Sequence, residues 1–411
     1  MRLALFWSEI LHYHAARIRA LCDEAEASGH TVYPFALRQA APNLPVSGYH
    51  DLLGDRITVL GAVGENAGPY TKQSQAQIIE FLNQRQPDAV GVAGYDSPVS
   101  LAALSWCRRH RRGAILMSES KADDYARSYV KEQLKRLIVS CFDAALVGGI
   151  PQVAYVRRLG MSPDSVFVGY DAVDNEFWSS RAAAVRSQAE TWRSRLALPL
   201  NYFLTVCRLV PKKNVAGLLR AYALYTQRAA QVWPLMVAGD GRLREDLQRL
   251  ASQLDIAQHV RFLGYLDAEA LAPYYALASV FILASHASEQ WGLVVNEAMA
   301  AGLPVLVSKA CGSSADLVVE GQTGFTFDPN DEPTLAGLLA ACARGDFDLA
   351  RMGLEAQARI ERFSPKVFAK NFIAAAHVAA SKGHARATNY PCRLILGAAR
   401  RFRQEPATTL E

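Results

Sequence analysis

Residues 285–309, SHASEQWGLVVNEAMAAGLPVLVSK, contain the pattern on which our fold prediction rests. They follow the apolar run ASVFILA at 278–284, which is typical of a buried strand. A helix is expected to begin near Gly292 and to end at Gly302, because the Leu303-Pro304 step does not easily extend a helix. The next run, PVLVSK, predicts a second strand. The stretch therefore predicts a strand, a loop, a helix and another strand.

Similar patterns alternate on both sides of this stretch. Between residues 2 and 170, seven short apolar runs indicate strands, and amphipathic stretches separate several of them. The polar, alanine-rich segment 179–198 lacks strand character, so we place a domain boundary near its end. Six more apolar runs follow between residues 201 and 328. Two such series in tandem predict an α/β protein with two doubly wound domains that face each other across a cleft.

Length and composition fit this prediction. With 411 residues, 51% of them hydrophobic and 20% charged, the chain has the size of two or three folded domains. Its seven cysteines are scattered without C-x-x-C spacing, which disfavours a disulfide framework or a zinc site. The first apolar run, residues 3–7, is too short for a signal peptide or a membrane span. We therefore expect a cytoplasmic protein.

Basic residues are concentrated near the end of the chain. Within residues 382–411, the run LILGAARRFR at 394–403 places an apolar block beside three arginines. This suits peripheral contact with an anionic membrane, and it equally suits a solvated tail. A second basic run, RRHRR at 108–112, also suggests an anionic surface. Basic residues are not interleaved with aromatic ones, so nucleic acid is not an expected partner.

The helix start inside the opening stretch has a chemical use. The N-terminus of a helix offers backbone N–H groups and a partial positive charge, so Trp291, Gly292 and Leu293 are candidates for diphosphate binding. Glu289, in the loop before the helix, can accept hydrogen bonds from sugar hydroxyls. Glu297, about one turn inside the helix, can reach a ribose diol. Together they predict a site for a nucleotide sugar.

In its full context, strand, loop and then E-x-W-G-L-V-V-N-E-A-M-A-A-G-x-P-V, this stretch resembles the signature of the retaining glycosyltransferases of family 4. That resemblance covers about residues 200–365 and implies the GT-B fold, with two Rossmann-like domains. We place the N-terminal domain, on the acceptor side, at 1–180 and the nucleotide-sugar-binding domain at 199–365. A C-terminal helix at 366–381 is expected to join the first domain, and a basic tail follows at 382–411.

Two upstream motifs support the resemblance. In FLTVCRLVPKKN (203–214), the family spacing assigns Arg208 and Lys213 to the donor diphosphate, although Lys212 lies beside Lys213 and lysine pairs on loops are usually only solvated. In LMVAGDGRLREDLQRLA (235–251), Gly239 and Gly241 would let the backbone approach a nucleotide. A tight turn can also need glycines for structural reasons alone.

The sequence departs from the family at three places. Glu119 follows an apolar run where relatives carry a histidine, and a segment with His12 and His14 replaces the glycine-rich loop after the first strand. We take these three as acceptor-side candidates, although both histidines also fit an ordinary surface or helix-cap role. Cys311-Gly312-Ser313 stands where relatives have paired glycines. Asp346-Phe347-Asp348 has the D-x-D form of metal-dependent enzymes, but its position favours a helix cap.

The resemblance implies transfer of a sugar, with retention, from a nucleotide-diphosphate donor to a glycan or lipid-linked acceptor. Arg208 and Lys213 would stabilise the leaving diphosphate, Glu289 would position the sugar, and Glu297 would hold the ribose. No metal and no cofactor are expected. Two alternatives stay open: a nucleotide-sugar epimerase or phosphorylase of the same fold, and a catalytically silent scaffold that binds nucleotide sugar.

Overall fold

The computed structural model describes residues 1–39, 53–61 and 70–385. The chain forms two compact units. The first contains residues 1–122 and 126–171 and the chain from residue 365 onward, and the second contains residues 172–364 with the short segment 123–125. The second unit is therefore inserted into the first. Apart from its first residues, 382–385, the basic tail lies outside the described part of the chain.

The described part of the first unit contains a parallel sheet of seven strands in the order β3-β2-β1-β4-β5-β6-β7. The strands are β1 (Arg2–Ile10), β2 (Thr31–Gln39), β3 (Thr58–Val59), β4 (Ala89–Ala93), β5 (Gly113–Ser118), β6 (Ala144–Val147) and β7 (Val166–Val168). The helices are α1 (His12–Ala27), α2 (Lys72–Arg85), α3 (Pro98–His110), α4 (Tyr129–Val139), α5 (Ile150–Arg158) and, at the end of the described chain, α15 (Pro365–Ala385).

The central strands of this sheet are buried on both faces. Every residue of β5 and β6 is buried, as expected for parallel strands with helices on each side. The last helix, α15, packs on α1 and β5. Its backbone comes so close to β5 that a Cβ at Gly113 would lie 2.6 Å from the carbonyl carbon of Ala379. Only glycine permits this contact, and through it the C-terminal helix covers one face of the first sheet.

The second unit has, within the described residues, six parallel strands in the order β10-β9-β8-β11-β12-β13. They are β8 (Phe203–Val206), β9 (Leu235–Ala238), β10 (Val260–Gly264), β11 (Val280–Leu283), β12 (Val305–Ser308) and β13 (Gly324–Phe327). The helices are α6 (Asn175–Arg186), α7 (Ala189–Leu196), α8 (Val215–Thr226), α9 (Arg244–Gln253), α10 (Ala268–Leu277), α11 (Leu293–Ala300), α12 (Ser314–Leu317), α13 (Glu332–Arg344) and α14 (Leu349–Ile360).

Both sheets have the strand order of a doubly wound fold, so the prediction of two Rossmann-like α/β domains is confirmed. In the second sheet the order reverses between β8 and β11, and ligands bind such sheets beyond the carboxyl ends of the strands at this switch point. The two loops to inspect first are therefore those that follow β8 and β11. They contain Arg208 and Lys213 in one, and Glu289 in the other.

The division between the units lies after Asp171, whereas the sequence suggested a first domain at 1–180 and a second at 199–365, with the boundary near the end of segment 179–198. The polar segment 179–198 is not a linker, since most of it belongs to α6 and α7. Helix α6 packs on α10, where the Trp178 and Tyr275 rings meet edge to face with centroids 5.2 Å apart. This buried aromatic contact assigns α6 to the second unit.

Among the helices of the described residues, we find none with the length and apolar character that a membrane span requires.

Candidate functional site

An ion pair connects the loops on either side of the switch point. Lys213, in the loop after β8, donates a hydrogen bond to Oε2 of Glu289, in the loop after β11. Both side chains are largely buried, with 11% and 8% of their surfaces exposed. The Ser285 hydroxyl donates to the same carboxylate oxygen at 3.1 Å, and the Lys212 ammonium lies 3.8 Å from the other oxygen. The structure thus brings Lys213 and Glu289 together, as a pair.

This pair determines the ionisation of Glu289. Burial alone would raise the pKa of its carboxyl group, but the charges of Lys213 and Lys212 and the hydrogen bonds from Lys213 and Ser285 lower it below its usual range. Glu289 is therefore ionised at neutral pH. Its carboxylate fixes the Lys213 ammonium at the carboxyl edge of the sheet.

Arg208 differs from Lys213 in having no such partner. It is exposed, and it makes no ion pair within the described ranges of the chain. Its neighbour Leu209 is held in place, because the Leu209 backbone N–H donates to the Asp240 carbonyl at 2.8 Å. The guanidinium therefore extends from an ordered loop with its donors open to a ligand such as a diphosphate.

The glycines of the turn after β9 have a structural reason of their own. Gly239 and Gly241 have positive φ angles of 123° and 156°. A Cβ at Gly239 would lie 1.9 Å from the Cys207 carbonyl oxygen, and one at Gly241 would lie 2.6 Å from that of Leu209. These glycines let the loops after β8 and β9 pack backbone to backbone. Their assignment to donor binding stays a prediction.

Helix α11 begins where the sequence predicted it. Gly292 precedes it with φ 95°, and a Cβ there would lie 2.8 Å from Leu283 Cδ2 and 3.0 Å from Cys311 Sγ. Trp291 is only 1% exposed, and its indole N–H donates to Asn296 Oδ1 at 2.9 Å. The Trp291 side chain therefore anchors the loop and is not accessible to a ligand.

Glu297 lies inside α11 and is 6% exposed. The hydroxyl of the fully buried Tyr275 donates to its Oε2 at 3.0 Å. Burial raises the pKa of Tyr275 well above its usual range, and the charge of Glu297 adds to the effect. Tyr275, which the sequence did not single out, therefore stays protonated and orients the Glu297 carboxylate.

Cys311-Gly312-Ser313, where relatives have paired glycines, is occupied by internal contacts. The backbone N–H of Gly312 donates to the Glu289 carbonyl at 3.1 Å, and that of Ser313 donates to the Trp291 carbonyl at 3.2 Å. These donors hold the loop that contains Glu289. Because they are already used, the segment supports the site and is a poor phosphate cradle.

The three acceptor-side candidates belong to the first unit. His14 is 5% exposed, accepts a hydrogen bond from the Leu11 N–H at 3.0 Å, and stacks on Trp7. These contacts match the helix-cap alternative. His12 is the first residue of α1, and its side chain lies outside the described structure. Glu119 directly follows β5 and is half-buried.

The D-x-D segment is a capping feature, as predicted. The Asp348 carboxylate accepts the Arg351 backbone N–H at 3.0 Å at the start of α14, and Asp346 pairs with Arg344 at 2.6 Å. Both carboxylates therefore have structural roles.

Comparison with known proteins gives a family match and several relatives that are glycosyltransferases. Residues 187–359 match the family model described as glycosyl transferases group 1. A D-inositol 3-phosphate glycosyltransferase of Thermomonospora curvata is 36% identical over 194 residues, which are 45% of this chain and 44% of that protein. A GDP-mannose-dependent alpha-(1-6)-phosphatidylinositol monomannoside mannosyltransferase of Mycolicibacterium smegmatis is 35% identical over 136 residues, or 31% of this chain and 35% of that protein.

Among solved structures, Anabaena HepE in complex with UDP-glucose has a TM-score of 0.66 at 17% identity. The match covers 91% of this chain and 98% of HepE, which shows a shared fold. The chain spans about half the length of the curated relatives that it matches. Residues 187–359 are therefore similar to the glycosyl transferases group 1, and the two doubly wound units have the GT-B fold.

Proposed function

We propose that this chain transfers a sugar from a nucleotide-diphosphate donor to a hydroxyl group of a glycan or lipid-linked acceptor. One observation carries the proposal. At the switch point of the second sheet, the ordered Lys213–Glu289 pair lies in the same pair of loops as the exposed Arg208 and the start of α11. Two cations and a helix N-terminus suit a diphosphate, and the acidic side chains suit sugar hydroxyls.

Each group has a role in this proposal. Arg208, Lys213 and the N–H groups at the start of α11 stabilise the negative charge that develops on the departing diphosphate. Glu289 positions the sugar, and Glu297, oriented by Tyr275, accepts hydrogen bonds from the ribose diol. The two cationic side chains supply the charge that a metal would otherwise provide. We therefore propose metal-independent transfer with retention at the anomeric carbon, without a cofactor.

Donor and acceptor classes draw support from the similar proteins. HepE was solved with UDP-glucose, and the mycobacterial relative is named for GDP-mannose and a phosphatidylinositol mannoside. Accordingly, we propose a nucleoside diphosphate sugar as the donor and polysaccharide or glycoconjugate biosynthesis as the setting. A cytoplasmic location, with peripheral contact at the inner face of the membrane, would give access to lipid-linked acceptors.

Thermal unfolding with a panel of UDP-, GDP- and ADP-sugars tests donor binding. A donor at about 100 times its Kd should stabilise the protein by about 2.7 kcal/mol. The Arg208→Ala variant should lose most of this shift. We choose it as the matched control because the exposed Arg208 contributes no ion pair to the described fold. If no nucleotide sugar shifts the unfolding temperature of the native chain, the proposed function is wrong.

Transfer is tested by the release of nucleoside diphosphate in step with a new glycoside, and the anomeric configuration of the product tests retention. Saturable donor binding without turnover on a broad acceptor panel would instead favour the scaffold alternative. Sedimentation with anionic liposomes tests the membrane contact. The comparison chain should end at Ala385, because an end at Ser381 would remove Gly383, whose backbone packs on Arg112.

A further inference from the structure

The carbonyl of Trp291, directly before Gly292, accepts two hydrogen bonds from the segment that follows β12. The Ser313 backbone N–H donates to it at 3.2 Å, and the Cys311 thiol donates to it with Sγ 2.8 Å from the oxygen. A backbone carbonyl has two lone pairs, so it can accept from both donors at once. The orientation of this carbonyl therefore depends on one backbone group and on one side chain, that of Cys311.

Cys311 is itself held in place just beyond the end of β12. Its backbone N–H donates to the Ser308 carbonyl at 3.0 Å, and its own carbonyl accepts the Ser314 hydroxyl at 2.8 Å. The residue is 2% exposed. Burial, together with the charge of Glu289, raises the pKa of the Cys311 thiol to about 11, so the thiol keeps its proton at neutral pH. Cys311 is therefore a fixed side chain with a proton to donate.

The contacts of the Trp291 carbonyl determine where the N–H of the same peptide group points. In a planar trans peptide the carbonyl and the N–H point in opposite directions. The Gly292 N–H is therefore directed away from Cys311 and Ser313. Gly292 is buried, and across residues 1–39, 53–61 and 70–385 its N–H has no acceptor. Because buried N–H groups are almost always paired, this N–H indicates a place for an acceptor that a ligand would bring.

Glycine at position 292 makes a second orientation of this peptide accessible. Gly292 has φ 95°, and glycine adopts positive and negative φ angles about equally, so the backbone itself offers little resistance to a flip of the peptide. A flip would break both hydrogen bonds of the Trp291 carbonyl. Cys311 also fills the space beside Gly292, since a Cβ there would lie 3.0 Å from Sγ. The thiol thus selects one of the two peptide orientations.

Building on the proposed function, we propose that Cys311 is a positioning residue for the donor: its thiol holds the peptide so that the Gly292 N–H donates to the diphosphate of a nucleotide sugar. Negative charge on the diphosphate grows as the sugar leaves, and a donor that is already oriented needs no reorganisation at that moment. Without the thiol, the Ser313 N–H alone would hold the Trp291 carbonyl. Cys311 therefore contributes to transfer without contacting the nucleotide sugar.

The test follows the Gly292 amide signal of the full chain, labelled with nitrogen-15, while UDP, GDP, ADP or inorganic pyrophosphate is added. We expect at least one probe to give a saturable shift of this signal. Cys311→Ala should weaken binding of that probe by about two- to tenfold, because a hydrogen bond that selects the peptide orientation is lost. Cys311→Ser keeps a hydroxyl donor at this position and should restore most of the affinity.

A second measurement needs no ligand. Relaxation dispersion of the Gly292 signal should show exchange between two peptide orientations in Cys311→Ala, but not in the native protein or in Cys311→Ser. Cys342→Ala is the matched control, because Cys342 is a buried thiol of α13 in the same unit and is 1% exposed. It should leave the Gly292 signal and probe binding unchanged, so a general loss of packing is recognised separately.

Three results would overturn the inference. The first is a native Gly292 signal that stays unchanged while a nucleotide sugar raises the unfolding temperature. The second is a Cys311→Ala variant that binds the probes as tightly as the native protein. The third is a folded Cys311→Ser variant that binds them as weakly as Cys311→Ala. If no nucleotide sugar raises the unfolding temperature of the native protein, the proposed function itself is wrong, and the inference falls with it.

Discussion

Lys212 and Lys213 are adjacent in sequence, but the structure predicts that their loss will have very different effects. Lys213 donates to the buried Glu289 carboxylate and is 11% exposed, whereas Lys212 is 33% exposed and lies 3.8 Å from that carboxylate. We therefore compare Lys213→Met with Lys212→Met, since methionine keeps most of the apolar stem. The second substitution is the matched control for the first.

The expected magnitudes follow from burial. Removing one partner of a buried ion pair costs about 3–5 kcal/mol, and we expect the lower end for Lys213→Met because Lys212 and Ser285 still contact Glu289. A loss of about 3 kcal/mol lowers the unfolding temperature of a unit of this size by about 6–12 °C. The more exposed Lys212 pair is screened by solvent, so Lys212→Met should cost about 0–1 kcal/mol.

The pair also predicts a dependence on pH. Because the pKa of Glu289 is lowered in the folded protein, its stabilising contribution is present above the unfolded pKa of about 4.3 and is lost as pH falls through the folded value. This acid-side loss should be smaller in Lys213→Met. In sugar transfer, loss of Lys213 should lower kcat by about 10²–10³. From the sequence alone, loss of Lys213 would be expected to leave folding intact. Because its partner Glu289 is buried, we expect a loss of stability as well.

Urea unfolding and calorimetry of both variants, alone and combined with Glu289→Gln, test this reasoning. Lys213→Met should cost much less in the Glu289→Gln background, since no buried carboxylate is then left uncompensated. Equal effects of the two lysine substitutions, or an unchanged cost in that background, would refute the assigned pairing.

Four further predictions address other groups of the second unit and the proposed independence from metal. Tyr275→Phe should cost about 1–3 kcal/mol in urea unfolding and weaken donor binding, because Glu297 loses a buried hydrogen bond. Gly292→Ala should cost about 1–3 kcal/mol, owing to its positive φ and its contacts with Leu283 and Cys311, and native stability in this variant would contradict the described geometry. EDTA should leave the rate of sugar transfer unchanged. Asp348→Ala should lower the free energy of unfolding by about 0.5–2 kcal/mol, because a helix cap is lost, while the transfer rate per folded molecule stays the same.

Periodic patterns were sufficient to predict most of the fold. The apolar runs and the Gly292 and Gly302 signals located β11, α11 and β12, because these elements depend on local preferences and burial. The boundary that we placed near the end of segment 179–198 differs from the observed division after Asp171 for a different reason. A polar, alanine-rich segment looks alike in a linker and in a surface helix, and only the contact between Trp178 and Tyr275 shows which unit holds it.

The charged groups of the candidate site could be predicted from the sequence, but the buried residues that hold them in place could not. The resemblance to the family selected Lys213, and the position before the predicted helix selected Glu289. The structure places these two side chains together. The sequence could not show that Trp291 is a buried anchor, because an aromatic residue beside a glycine fits a core and a ligand site equally well. It also missed Tyr275, whose hydroxyl donates to Glu297 from a different helix. The catalytic roles of Lys213 and Glu289 stay predictions.

The position of α15 has a consequence for synthesis of the protein. The helix that packs on β4, β5, β6 and β7 is encoded after the entire second unit, so the first unit leaves the ribosome without this cover on its sheet. Residues 172–364 can complete their own sheet during this time, although domains usually fold in the order in which they emerge. The part of the protein that is made first should thus be the last to reach its native state, because it waits for residues 365–385.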